Sequence, residues 1–137
     1  MASILAHIRV KPGSEASFEA TIRPLFAESH VVEKALRRYE YWRAQEPGLY
    51  YCLLAFDDFL GFLRHQSSAH HEAAAPALME MISDLRLEWL DPVTGACALP
   101  QTVSLAVPDD ASTLIKQYAG MFPIRVAAWW PRPDPNH

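Results

Sequence analysis

The sequence predicts an α+β domain: an antiparallel β-sheet with helices on one face, ordered β-α-β-β-α-β, followed by a C-terminal arm. Three features carry this expectation. Residues 3–10 alternate apolar and polar, as a half-buried strand does. Two β-prone runs, 36–43 and 49–56, flank the turn Glu46-Pro47-Gly48 and read as a hairpin. Helical periodicity fills the two segments between strands.

In the first strand Ile4, Ala6, Ile8 and Val10 share one face, and Leu5, His7 and Arg9 the other. Lys11-Pro12-Gly13 breaks it, and Ser14 is placed to cap a helix. Phe18, Ile22, Leu25 and Phe26 form that helix's apolar stripe, with Pro24 expected to kink it or loosen its preceding turn. Residues 32–37 also tolerate helix, but the aromatic run favours strand from Leu36. After the hairpin, Asp57-Asp58 suits a helix start, and Phe59, Phe62 and Leu63 give it a short stripe. Leu78, Met81, Ile82 and Leu85 then repeat at helical spacing, with Pro76 as an interruption. Leu85, Leu87 and Trp89 alternate with Arg86 and Glu88, which predicts the closing strand.

This order over residues 3–91 is the ferredoxin-like, split-βαβ pattern. Its strands offer apolar groups to both sides, while helices cover only one. A second copy on the bare face is the simplest remedy, so a symmetric homodimer with two sheets packed as one barrel is expected. Residues 1–91 are thus read as the barrel domain and 92–137 as an extension packed on the core or on the partner subunit. Within it Val103, Leu105 and Val107 alternate. Asp109 or Asp110 can cap a helix carrying Leu114, Ile115, Tyr118 and Phe122, and 124–130 is apolar again. The Pro-rich end, 131–137, is expected to be extended and frayed.

Composition narrows the function. A net charge of -4 and no Lys/Arg run argue against nucleic acid as a partner. Apolar stretches fall far short of the ~20 residues of a membrane span, so no membrane association is expected. No signal-peptide pattern opens the chain, and cytoplasmic localisation is the expectation. Cys52 and Cys97 form no disulfide framework; Cys52, among apolar strand residues, reads as a reduced core thiol.

The chemistry-bearing window is residues 62–71, Phe-Leu-Arg-His-Gln-Ser-Ser-Ala-His-His, holding three of the six histidines. Clustered imidazoles suit proton transfer, metal binding or a pH-sensitive surface. Val10-Lys11-Pro12-Gly13 followed by Phe18, Leu36-Arg37-Arg38-Tyr39-Glu40 opening a strand, and Phe62-x-x-His65-x-x-x-x-His70 together resemble the antibiotic-biosynthesis-monooxygenase domain. The resemblance covers residues 3–91 and implies a dimeric α+β barrel. It also implies a choice of activities: cofactor-free oxygenation of quinols or polycyclic phenols, haem degradation, or no chemistry. Where many members have Glu-Arg-Trp at the end of the third strand this chain has Ala55-Phe56-Asp57, which counts against haem degradation. The usual Glu-Pro-Gly is here Glu33-Lys34-Ala35.

The reading that results is a monooxygenase needing no cofactor and no metal, acting with O₂ on a quinol or hydroxylated aromatic compound. A dry aromatic cavity and one base suffice for such chemistry. His70 and His65 are the candidate bases, and Tyr39, Tyr41, Tyr51, Phe59 and Phe62, with Trp42, the candidate walls. Each also has a plain structural reading: strand aromatics as core, His65 as a helix-end hydrogen-bonder, His71 as a solvent-facing residue, His7 as an interface or sheet residue. Five residues is an indifferent spacing for two metal ligands on one straight helix, although a break at Ser67-Ser68 would alter it, with Glu72 as an added carboxylate. The alternative function is a non-catalytic, dimeric small-molecule-binding or stress-related barrel.

Overall fold

The computed structural model describes residues 1–131; most of the Pro-rich end discussed above lies outside the described residues. The elements are β1 (Ala2–Val10), α1 (Glu15–Val32), β2 (Leu36–Arg43), β3 (Leu49–Phe56), α2 (Phe59–Ser67), α3 (Ala69–Met81), β4 (Ile82–Leu90) and α4 (Thr113–Met121). The four strands form one sheet in the order β2-β3-β1-β4, with every neighbouring pair antiparallel. This is the ferredoxin-like arrangement.

Strand alternation decides what the helices cover. Ile4, Ala6, Ile8 and Val10 of β1 are all buried, as are Tyr50, Cys52, Leu54 and Phe56 of β3. Phe18, Ile22 and Leu25 of α1 and Phe59, Phe62 and Leu63 of α2 close over them in one cluster. Each fully buried Phe or Leu in such a layer contributes on the order of 2 kcal/mol. Leu5, His7, Leu49, Tyr51 and Leu53 lie on the other sheet face, half-buried, and Trp42 is 58% exposed there. That is the bare face foreseen from the strand pattern.

Several local expectations change. Ser14 stands at the N-cap of α1, but its hydroxyl makes no cap bond; its carbonyl accepts from Phe18 N, and Glu15 instead accepts from Gly13 N. Neither Pro24 nor Pro76 interrupts its helix; both lie inside continuous helical segments. Phe26 leaves the buried stripe and stacks beside His30 and Tyr39. Ile82 and Leu85 belong to β4, because the chain reverses into strand pairing with β1 immediately after Met81. Asp58, as foreseen for the acidic pair, caps α2 by accepting from Gly61 N at 2.8 Å.

The arm also differs in detail. Residues 103–107 form no strand, with Val103 and Leu105 exposed. Ser112, and neither Asp109 nor Asp110, caps α4, its hydroxyl accepting from Ile115 N. Val107, Ile115, Tyr118, Phe122 and Ile124 pack against the core cluster of the same chain.

Candidate active site

The site begins at the end of α1. The buried stripe Phe18, Ile22, Leu25 continues to Ser29, and Glu33 follows one turn later as the C-cap, its backbone N–H bonded to Ser29 O. Here the chain leaves the helix, and the Glu33 carboxylate meets α2 and α3. Those two helices exist because Ser68 is extended, at φ -64° and ψ 152°, and serves as C-cap of one and N-cap of the other. Its hydroxyl donates to His65 O at 2.8 Å and accepts from His71 N at 3.3 Å. The break turns His65 and His70 toward the same carboxylate.

His65 Nδ1 lies 2.9 and 3.0 Å from the two Glu33 oxygens, and His70 Nε2 lies 2.6 Å from Oε2. His70 Nε2 is also 3.1 Å from Ser29 Oγ and 3.2 Å from Ser68 Oγ. Burial works to raise the Glu33 pKa, but hydrogen bonds and charge from His65, with bonds from His70 and Ser29, outweigh it and hold it at about 2. An ionised carboxylate only accepts, so both imidazoles donate to it. In the tautomer that donates from Nδ1, the His65 lone pair lies at Nε2, which makes no hydrogen bond among the described residues.

His65 lines a cavity of about 400 Å³ between sheet and helices. Ala6, Ile8, Cys52 and Leu54 form its floor, and Phe18, Leu25 and Phe62 its apolar sides. Tyr39, Tyr41, Gln66 and His71 add polar edges. The volume lies in the range of small-molecule sites. Tyr39 and Tyr41 share a 2.8 Å hydrogen bond, and burial drives both phenols well above their ordinary pKa, so they remain neutral. Burial likewise raises the Cys52 thiol, which removes it as a nucleophile. Burial first, then the neighbouring His65, lowers His71 to about 4, leaving a neutral ring at pH 7. Its Nδ1 is buried and has no hydrogen-bond partner among the described residues.

The structure brings Tyr39, Tyr41, Phe62 and His65 to one cavity. His70 does not line it and instead bonds to the Glu33 carboxylate. Tyr51 and Trp42 sit on the opposite sheet face, since the register that turns Tyr50 and Cys52 inward turns their neighbour outward. Phe59 is buried and stacks on Phe62 without reaching the cavity. His71, expected at the solvent, is a wall residue. Glu72 turns from the histidines to accept from the Tyr118 hydroxyl. The carboxylate that matters is Glu33, which sequence reasoning did not select. Its signal was position: Ser29 and Glu33 extend a buried helical stripe, where polar residues need a partner.

Glu33, His65 and His70 are the described residues that could hold a metal, their donor atoms all lying within 4.8 Å of one another. Their present geometry is a hydrogen-bonded carboxylate–imidazole relay. With one nitrogen anchored, His65 can take a proton from a ligand in the cavity, and ionised Glu33 would stabilise the resulting imidazolium.

Comparison with known proteins agrees with this architecture. The chain is similar in structure to a candidate antibiotic biosynthesis monooxygenase from Caulobacter crescentus CB15, at 24% identity and a TM-score of 0.64. That match covers 67% of this chain and 89% of the other. PA3566 from Pseudomonas aeruginosa matches at 20% identity and 0.63, covering 68% and 94%. Rv0793 from Mycobacterium tuberculosis matches at 14% and 0.63, covering 70% and 98%. At these identities the likeness speaks for the fold alone. No curated protein matches the sequence. The family match is made on the sequence itself, over residues 1–77, more than half of the chain, and on that ground the protein belongs to the antibiotic biosynthesis monooxygenase family.

Proposed function

We propose that the protein is a cofactor-independent monooxygenase whose substrate is a quinol or hydroxylated polycyclic aromatic compound. The observation that carries the reading is the Glu33–His65 pair at the wall of a cavity whose other sides are apolar and aromatic. A phenol bound there loses its proton to His65 Nε2, and the phenolate becomes electron-rich enough to reduce O₂. One oxygen atom then bonds to a ring carbon, giving a quinone, and the other leaves as water with two substrate hydrogens. All four electrons come from the substrate. The hydrogen-bonded Tyr39–Tyr41 pair keeps one phenolic hydrogen to donate to an oxygen function of the substrate, and the dry walls restrain side reactions with water.

The working form is a homodimer, in which a second copy covers Trp42, Tyr51 and Leu53. Residues 1–91 form the barrel domain and 92–137 its extension. The cytoplasm is its compartment; among the described residues no helix is long and apolar enough to cross a membrane.

Oxygen consumption by metal-stripped protein, measured against a panel of quinols and polycyclic phenols, tests the reading. Uptake that disappears in His65→Ala supports it and locates the base. Binding of aromatic ligands with no uptake by any of them would sink it, and would assign the protein to the non-catalytic binders.

A further inference from the structure

The arm after β4 lies beyond the residues that match the family, yet it supplies part of the cavity wall. Tyr118 and Met121 of α4 face the same space as His71 and Leu78 of α3. Three contacts hold α4 in place. The Tyr118 hydroxyl donates to Glu72, Trp89 Nε1 donates to Pro123 O at 2.8 Å, and the Phe122 ring meets Phe62 edge-on at 6.3 Å. Phe62 is itself a wall of the cavity, so the position of the arm is coupled directly to the site.

Exposure locates the mouth. The deep walls are buried, but Met79, Leu85 and Met121 are 76%, 47% and 64% exposed while still lining the cavity. They come from three different elements, α3, β4 and α4, and all are unbranched or aliphatic. Thioether and aliphatic groups at a rim accommodate flat apolar rings, and the exposed Ser83 and Asp84 of β4, which line the same cavity, give the mouth one polar side.

We infer that α4 is the size-selecting element of the cavity: Met121 sets the largest fused-ring phenol that enters, and Tyr118, held by Glu72, keeps the helix at the rim. The inference rests on the reading of the cavity as an aromatic site but not on its oxygen chemistry.

The test is binding to the full-length protein of 1-naphthol, 9-phenanthrol and 1-hydroxypyrene, followed by ligand fluorescence. Met121→Trp narrows the mouth and is expected to weaken 1-hydroxypyrene about tenfold or more while changing 1-naphthol less than about twofold. Met121→Ala, which cannot obstruct, should leave 1-hydroxypyrene bound at least as tightly as in the wild type. Tyr118→Phe keeps the ring but loses the Glu72 bond, and should flatten the size preference. An equal effect on all three phenols, or none, overturns the inference, as does failure of every phenol to bind the wild type. Oxygen uptake separates the two readings. Graded binding without uptake removes the oxygenase and leaves the selector, whereas uptake with no dependence on Met121 does the reverse.

Discussion

His65 and His70 are five positions apart in sequence and converge on the two oxygens of one carboxylate, Glu33, because Ser68 ends one helix and begins the next. On one continuous helix five residues would place them on diverging faces. Their other contacts set them apart. His70 is held by Glu33, Ser29 and Ser68, whereas His65 has one nitrogen anchored and its ring at the cavity.

Replacing Glu33 by Gln removes the carboxylate that accepts from both imidazoles. The amide can donate to His65 Nδ1 and so favour the tautomer with its proton at Nε2, where the base is needed. Turnover of any oxidised phenol should fall by about 10²–10⁴-fold, with aromatic binding changed far less. Steady-state oxygen uptake beside ligand fluorescence separates the two effects. Equal loss of both would mean that Glu33 shapes the cavity rather than the base.

Glu33 also predicts an acid response. Its folded pKa, about 2, lies below the ordinary 4.5, so its contribution is present above pH 4.5 and is lost as pH falls toward 2. Urea unfolding across that window should show a steeper loss in the wild type than in Glu33→Gln. Parallel curves would refute the assignment.

His71 acts in a different window with the same sign. Its folded pKa near 4 lies below its ordinary 6.5, because burial penalises the charged ring. The stabilisation is full above pH 6.5 and falls, by up to about 3 kcal/mol, as pH drops through 4. His71→Gln, which does not titrate, should be the less acid-sensitive protein between pH 6.5 and 4, as thermal unfolding at stepped pH would record.

Gly61 sits where α2 crosses the start of β2 and the end of β3. A Cβ there would meet Ala35 Cβ at 2.9 Å and Phe56 Cβ at 3.3 Å, with no flexible side-chain end to yield. Gly61→Ala should cost about 1–3 kcal/mol in urea unfolding. Because His65 lies one turn on, the substitution should also weaken turnover in molecules that remain folded. An unchanged midpoint would show that the helix shifts freely.

Trp42, exposed on the bare sheet face, is the natural anchor for a second copy. Sedimentation velocity should give a dimer for the wild type and a monomer at micromolar concentration for Trp42→Glu, a loss of about 2 kcal/mol or more. A wild type that sediments as a monomer would leave that face without its proposed partner.

The order of strands and helices was legible in the sequence, because period-two and helical patterns are local and each strand announces its own buried face. Alternation alone also separated Ile4, Ala6 and Ile8 from Leu5, His7 and Arg9. The aromatic residues were harder. Composition marked Tyr39, Tyr41 and Tyr51 alike, but only the pairing of β2 with β3 turned the first two to the cavity and the third away. The histidines were visible as a cluster, whereas their roles depended on the extended backbone dihedrals of Ser68 and a carboxylate 32 residues before His65. His71 and Tyr118 joined the cavity only when α3 and α4 packed. Sequence determined which segments would bury apolar surface, since that follows from local spacing. Tertiary structure decided which polar groups would meet, since a hydrogen bond depends on distances of about 3 Å that only packing of distant segments can set.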